Sequence, residues 1–439
     1  MRLVMFTPIV RRSAIGRVTR LVTRELLAAG HEVLIVRTEA AAAVAGEIHE
    51  FGVPVLSWND QDSVIDAVLS ADIAVYQVGD NYQFHAGCAE WMPRLPGIVC
   101  LHDFFVGHYF LGWCYEYGHE PGAVIRAWYG EDVAASYQIA RHSPDFIEST
   151  ARAAPLTEWV CSQAIGVLTH SKWGIDRVLR SCPGPIRVAP LPYEALSVDL
   201  AVAGLPDSDC FRVLTVGHVN ANKRAASVIC AIASSPSLRE RAVYNLVGSI
   251  EPRMVHELAA LARSLDVRLV IAGAVGDQAL SRAFAEADVV VALRWPCLEA
   301  ASASSIESML VGKPTIVTRA GSYDEISDDC VIKVDVNSEV QETREALEFL
   351  MGHPAERAAM AARGKDRAQR LHRPDQYAAE LVDLAREALR ASPGLDAVSH
   401  AVGSLRHWGA DSDVGHEFIF PPMFELWGDD VAETRLQID

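Results

Sequence analysis

The chain of 439 residues carries 57 Asp and Glu against 39 Lys and Arg, a formal net charge of −18, and half of its residues are hydrophobic. The length exceeds what a single core ordinarily supports and predicts two domains, while the apolar half excludes a disordered chain. The acidic excess argues against a nucleic-acid partner, because phosphates call for a surplus of cations. The nine cysteines form neither a CxxC pair nor a Cys/His cluster at zinc spacing, so they read as reduced cytoplasmic thiols and predict no metal site.

The N-terminal MRLVMFTPIV is a short apolar run, and Arg11, Arg12, Arg17, Arg20 and Arg24 follow where a leader's cleavage site would stand, so a first β-strand is expected. No uncharged apolar run approaches the ~18 residues of a spanning helix, which predicts a soluble chain, attached at most to a membrane surface. LVMFTPI, EVLIVRT, DIAVYQVG, GIVCLHD and AIGVLTHS are candidate buried parallel strands. Between the first two, Gly16 to Ala29 places Val18, Leu21, Val22, Leu26 and Leu27 on one helical stripe closed by Gly30-His31. After the turn-rich stretch Pro190 to Asp209 the pattern restarts with FRVLTVG, AVYNLVG, VRLVIAG, ADVVVAL and KPTIVT.

Two successive βα series predict an α/β protein with two Rossmann-like doubly wound domains facing across a cleft. Residues 1–195 and 210–375 are the two domains, 196–209 the linker, and 376–439 a helix and tail expected to fold back on the first domain. One Arg/Glu/Ala-patterned helix is expected from Pro354 to Ala391. Ligands of such sheets lie beyond the carboxyl ends of the strands. Gly79, Gly217, Gly248 and Gly273 stand at those ends and read as backbone kept low for a ligand.

Two stretches could carry chemistry. Gly217-His218-Val219-Asn220-Ala221-Asn222-Lys223-Arg224 joins a strand to a helix starting near Ala225. Cations beside a helix N-terminus form an anion site, so Lys223 and Arg224 read either as diphosphate ligands or as two solvated cations in a turn. The second stretch is LRWPCLEAASASSIESMLVGKPTIV. A helix is expected to begin among Ala301–Ser304 and run to Val311, with Gly312 as its stop and Pro314 beyond. Glu299 then lies in the loop at a strand end and Glu307 on the second helical turn. Small residues between them leave the helix start open, and two carboxylates there suit the hydroxyls of a sugar and a ribose. A helix-start glutamate plus a surface glutamate is the plainer alternative.

Glu299-x7-Glu307 followed by Gly312-Lys313-Pro314 resembles the E-x7-E signature of retaining glycosyltransferases with the GT-B fold, glycosyltransferase family 4. Other positions agree in order: the loop around Gly16, Gly30-His31-Glu32-Val33, Leu101-His102-Asp103, Thr169-His170-Ser171, Gly217 to Lys223, Ala287-Asp288-Val289, and Gly321 with Glu325. The resemblance implies a metal-independent enzyme without a cofactor, using a UDP- or GDP-linked sugar as donor and a saccharide or lipid-linked acceptor in surface polysaccharide or glycolipid assembly. It makes His102, Lys223 and Glu299 catalytic. Gly16, Gly217, His218, Asn220, Lys223, Arg224, Gly248, Ser302, Ser304 and Glu307 become donor-binding, with Lys223 on the diphosphate and Glu307 on the ribose. Retention by front-face attack is likewise its implication. The family's Arg after the glycine is His218 here, with Arg224 expected to supply the charge, and its Gly-Phe-Gly is Ala300-Ala301-Ser302.

The aromatic segment from Phe104 to Tyr137 is either core or the lining of an acceptor site, with Asp103, Tyr109 and Trp113 as the acceptor residues. Arg17, Arg20 and Arg24 share a helix face and read as a solvated stripe or a contact with anionic membrane at the cytoplasmic side. Two other functions stay open on the same scaffold: a nucleotide-sugar epimerase, and a non-catalytic nucleotide-sugar-binding partner of another transferase.

Overall fold

The computed structural model describes residues 1–44, 46–195 and 210–407. The chain forms two compact units, Met1–Pro190 with the helix Pro374–His407, and Leu191–Arg373. The expected linker 196–209 and the tail from 408 onward lie outside the described residues.

The first unit holds β1 (Arg2–Thr7), β2 (Glu32–Arg37), β3 (Val55–Ser57), β4 (Ile73–Val78), β5 (Ile98–Leu101), β6 (Gly166–Thr169) and β7 (Ile186–Val188). They form one sheet in the order β3-β2-β1-β4-β5-β6-β7, every pairing parallel. Parallel strands need crossovers that cover both faces, which is why β4 is buried along its whole length and reads as an unbroken apolar run. The first crossover, the helix Ala14–Ala28, starts where the Ser13 side chain accepts from Gly16 N, and it buries Val18, Leu21, Val22 and Leu26. The chain reverses its direction of travel across the sheet between β1 and β4, the place where such folds bind ligands.

The second unit repeats the plan with β8 (Phe211–Val216), β9 (Ala242–Val247), β10 (Arg268–Gly273), β11 (Val289–Ala292), β12 (Thr315–Thr318) and β13 (Ile332–Val334), ordered β10-β9-β8-β11-β12-β13. Alternate residues serve its two faces: Val213, Val289 and Val291 join one apolar cluster, and Leu214, Val216 and Val290 the other. Each such aliphatic side chain contributes about 1.5–3 kcal/mol on burial. Here the switch point lies between β8 and β11.

All ten strand candidates form strands, and three more appear: β3, β7 and β13, each of three residues and each at a sheet edge. Three residues are too few to show a period. The single helix expected from Pro354 to Ala391 is in fact two, Pro354–Leu371 and Pro374–His407. Proline disfavours helical backbone in the residue before it, and His372 is pinned in the break: its Nδ1 lies 2.8 Å from the Leu191 carbonyl, and its own carbonyl accepts from Tyr193 N at 3.0 Å.

Candidate functional site

In the second unit the site grows from the ends of β8 and β11. Beyond β8, Gly217 takes a left-handed φ of +90°, the chain turns through Ala221–Lys223, and the helix Ala225–Ala233 follows. Lys223 folds back into the bend. It is only 7% exposed, its ammonium donates to the Val216 carbonyl, and a Cβ on Gly217 would stand 2.6 Å from its Nζ. Gly217 is thus demanded by its dihedral and by the lysine. A Cβ on Gly248 would meet the Gly217 carbonyl oxygen at 2.0 Å, and one on Gly79 would meet Ile15, Asp103 and His85 within 3.0 Å. The space a Cβ would take at Gly79, Gly217 and Gly248 is therefore filled by the protein's own groups, whereas at Gly273 nothing lies within 4 Å of it.

After β11 the chain runs through Arg294 to Glu299. Arg294 is buried, with Nε 3.3 Å from Glu299 Oε1, Nη1 donating to the Leu293 carbonyl at 2.7 Å and Nη2 to Ser304 Oγ at 3.1 Å. Glu299 also accepts from the Tyr323 hydroxyl at 3.0 Å. The helix Ala303–Leu310 begins within the expected window, with Ser302 as its buried N-cap residue and Ser302 Oγ 3.2 Å from Ser304 Oγ. Glu307 is 4% exposed, and its Oε2 accepts from the Tyr193 hydroxyl at 3.2 Å. The two loops are latched together, Trp295 N donating to the Asn222 carbonyl at 2.9 Å and the Asn222 amide to the Pro296 carbonyl. Burial holds the Lys223 ammonium well below its ordinary range; Arg294 adds to that shift and Glu299 opposes it.

Lys223 and Glu299 are therefore brought together, as expected, but Arg224 is not with them. Its backbone is left-handed at φ +56°, and its guanidinium lies 2.9 Å from the buried carboxylate of Glu339. Its Nε is engaged by Glu339, so the structure gives Arg224 an ion-pair role besides the phosphate role expected of it. His218 and Asn220 are exposed, with His218 Nδ1 2.9 Å from Ser249 Oγ.

In the first unit His102 follows β5 and is buried. Its Nε2 lies 2.7 Å from Gln77 Oε1 and its Nδ1 3.1 Å from His170 Nε2. Both ring nitrogens are engaged, and burial, with His170 and His85, holds the imidazole well below its ordinary range. The histidine expected to be catalytic is thus a buried member of an internal hydrogen-bond network. Asp103 accepts from Asp80 N at 2.7 Å. Asp80 in turn accepts from His108 N (2.7 Å), Tyr109 N (3.1 Å) and His108 Nδ1 (2.6 Å), and that contact raises the His108 imidazole above its ordinary range. Tyr109 is fully buried against Tyr82, His85 and Trp159, so the acceptor role expected of it gives way to a core role. Trp113 is half-buried among Phe110, His119 and Trp159. Gly16 admits the first helix close to β1, since a Cβ there would meet the Pro8 carbonyl oxygen at 2.5 Å. Arg17 and Arg20 are half-buried, and Arg24 is exposed and paired with Glu25 at 2.7 Å.

Sequence reasoning missed Arg294, Tyr323 and Tyr193. Arg294 had a signal, a cation ending the apolar run ADVVVAL, and Tyr323 sits inside the Gly321–Glu325 turn. Tyr193 had none, because its meeting with Glu307 joins positions far apart in the chain.

Residues 203–367 match the family model described as glycosyl transferases group 1. Structural likeness spans nearly the whole chain. Sucrose-phosphate synthase from Thermosynechococcus elongatus superposes with a TM-score of 0.63 at 16% identity, covering 89% of this chain and 100% of that one. WaaG, a glycosyltransferase involved in lipopolysaccharide biosynthesis, gives 0.57 at 16% identity over 86% and 98%. The fold is GT-B. Anabaena HepE, solved in complex with UDP-glucose, shares that GT-B likeness with a TM-score of 0.58 at 16% identity over 87% and 99%. No curated protein sequence matches the chain. The group 1 match covers the unit that holds Lys223, Arg294, Glu299 and Glu307, and with the GT-B fold it supports a glycosyltransferase.

Proposed function

We propose that this protein is a retaining glycosyltransferase of the E-x7-E type, moving a hexose-type sugar from a UDP- or GDP-linked donor to a saccharide or lipid-linked acceptor in surface polysaccharide or glycolipid assembly. The observation that carries the reading is the cluster at the ends of β8 and β11, where the buried Lys223 and Arg294 meet Glu299 at the start of a helix bearing the buried Glu307. HepE, of the same fold, is solved with UDP and with UDP-glucose, which supports a nucleotide sugar as the ligand.

In this reading an acceptor hydroxyl oxygen bonds to the anomeric carbon while the bond from that carbon to the phosphate oxygen breaks. Its electron pair leaves with the nucleoside diphosphate, which takes the hydroxyl proton. Lys223 stabilises the charge that develops there, and Glu299 and Glu307 accept hydrogen bonds from sugar and ribose hydroxyls. The leaving group is met by side-chain cations, so the reading includes no metal and no cofactor beyond the donor. Work at the cytoplasmic face of a membrane, through Arg17, Arg20 and Arg24, is part of the same proposal.

Thermal shifts with UDP-, GDP-, ADP- and dTDP-sugars test it: one nucleotide class raises the melting temperature, and that donor is slowly hydrolysed without acceptor. Interconversion of free sugar nucleotides in place of hydrolysis would instead mark an epimerase.

A further inference from the structure

Two cations are buried together at the ends of β8 and β11. Lys223 and Arg294 are 7% and 6% exposed. The charged groups acting on the lysine are Arg294, which repels its ammonium, and Glu299, which attracts it. For Arg294, Glu299 is the carboxylate among its charged neighbours, alongside Tyr323 and Cys297. The site's other carboxylate, the buried Glu307, accepts from the Tyr193 hydroxyl at 3.2 Å. Two cations buried side by side repel one another, and an anion that meets both offsets that cost.

Arg294 is also placed to meet a ligand. A guanidinium has five N–H groups, and its bonds to Glu299, the Leu293 carbonyl and Ser304 engage Nε and one hydrogen on each Nη nitrogen. The latch between Asn222 and residues 295–296 holds its loop beside that of Lys223. We propose that Arg294 is a diphosphate-binding residue, the second cation which, with Lys223, takes the phosphates of a nucleoside diphosphate. This rests on the donor-site reading above and names a further buried cation beside Lys223. One guanidinium then joins the grip on the leaving group to the carboxylate that meets the sugar.

A second consequence follows for protons. An anion bound between the two cations draws the lowered Lys223 back towards its charged form, so binding takes up protons wherever the unliganded lysine is partly neutral.

Isothermal titration of the full chain with UDP, GDP, ADP and dTDP, their parent nucleosides and inorganic pyrophosphate, in two buffers of different ionisation enthalpy, tests this. Arg294→Gln weakens the preferred diphosphate and pyrophosphate at least about tenfold, leaves the parent nucleoside within about twofold, and reduces the protons taken up. Arg294→Lys keeps the charge and recovers most of the affinity, and it carries the test if the glutamine variant melts early. A folded glutamine variant with wild-type diphosphate affinity overturns the proposal. So does an equal loss for nucleoside and diphosphate, or a lysine variant no better than glutamine, since either marks a packing role. Wild-type protein that binds none of the four diphosphates brings down the donor-site reading itself, and this inference with it.

Discussion

At the carboxyl ends of the first sheet the polar side chains answer one another: His102 lies between Gln77 and His170, and Asp80 holds both His108 and the amides beside it. At the corresponding ends of the second sheet two buried cations, Lys223 and Arg294, stand together with Glu299, beside the helix that bears the buried Glu307. The same doubly wound plan thus uses its polar residues in two ways. Such pairs order loops, although the buried His85 Nδ1, Tyr109 hydroxyl and Ser171 hydroxyl of the same unit have no partner in the structure. Two like charges buried side by side are costly without a counter-charge, which the proposed diphosphate would supply.

Acid is a strong lever on both units, because His85 in the first and the half-buried His372 in the second are held in the neutral form. Burial lowers His85 in the first unit and His372 in the second to about 4, against nearby carbonyls of Gln77 and Leu191 that oppose the shift. A depressed value means the unfolded chain takes up the proton first. The stability is whole above about 6.5 and is lost as pH falls towards about 4, by up to roughly 3 kcal/mol for each histidine. Hydrogen exchange resolved by segment at neutral pH and near 4.5 should show both units loosening in this window, and His85→Phe should protect the first unit alone.

Substitution at the site separates the units next. Lys223→Ala and Glu307→Ala are each expected to lower kcat/KM by at least ~100-fold, as loss of a charge-assisted contact of ~2.7 kcal/mol would. His102→Ala instead costs ~1–3 kcal/mol of stability by leaving Gln77 and His170 unmatched, and nucleotide affinity stays within error of wild type. A fall in nucleotide affinity for His102→Ala, or normal turnover in the other two, would erase the distinction.

The smaller effects sharpen it. Arg224→Ala should change nucleotide affinity by less than ~3-fold while lowering stability by ~1 kcal/mol, because it strands Glu339 but its own guanidinium is partly solvated. In the first unit Asp80→Asn should bring the raised His108 back towards its ordinary value, a fall in the pH of its titration midpoint readable by NMR. No midpoint change would mean that Asp80 is not what raises it.

How far these features could be read beforehand follows from how local they are. The ten longer strands and the helix Ala303–Leu310 were legible because parallel strands buried on both faces leave apolar runs and helices leave start and stop signals. Edge strands of three residues leave neither. Lys223, Glu299 and Glu307 stood out by spacing, but spacing says nothing of partners: it offered Arg224, adjacent in sequence, where the fold supplies Arg294 from another strand end. His102 and Tyr109 were credited with open roles because sequence cannot show that Gln77, His170 and the aromatic core close around them.

The structure of the complex with whichever nucleotide sugar most raises the melting temperature addresses the central claim most directly. The account predicts phosphate oxygens within hydrogen-bond distance of Lys223 and Arg294, and sugar and ribose hydroxyls on Glu299 and Glu307. A nucleotide bound elsewhere, with those four side chains untouched, would contradict it.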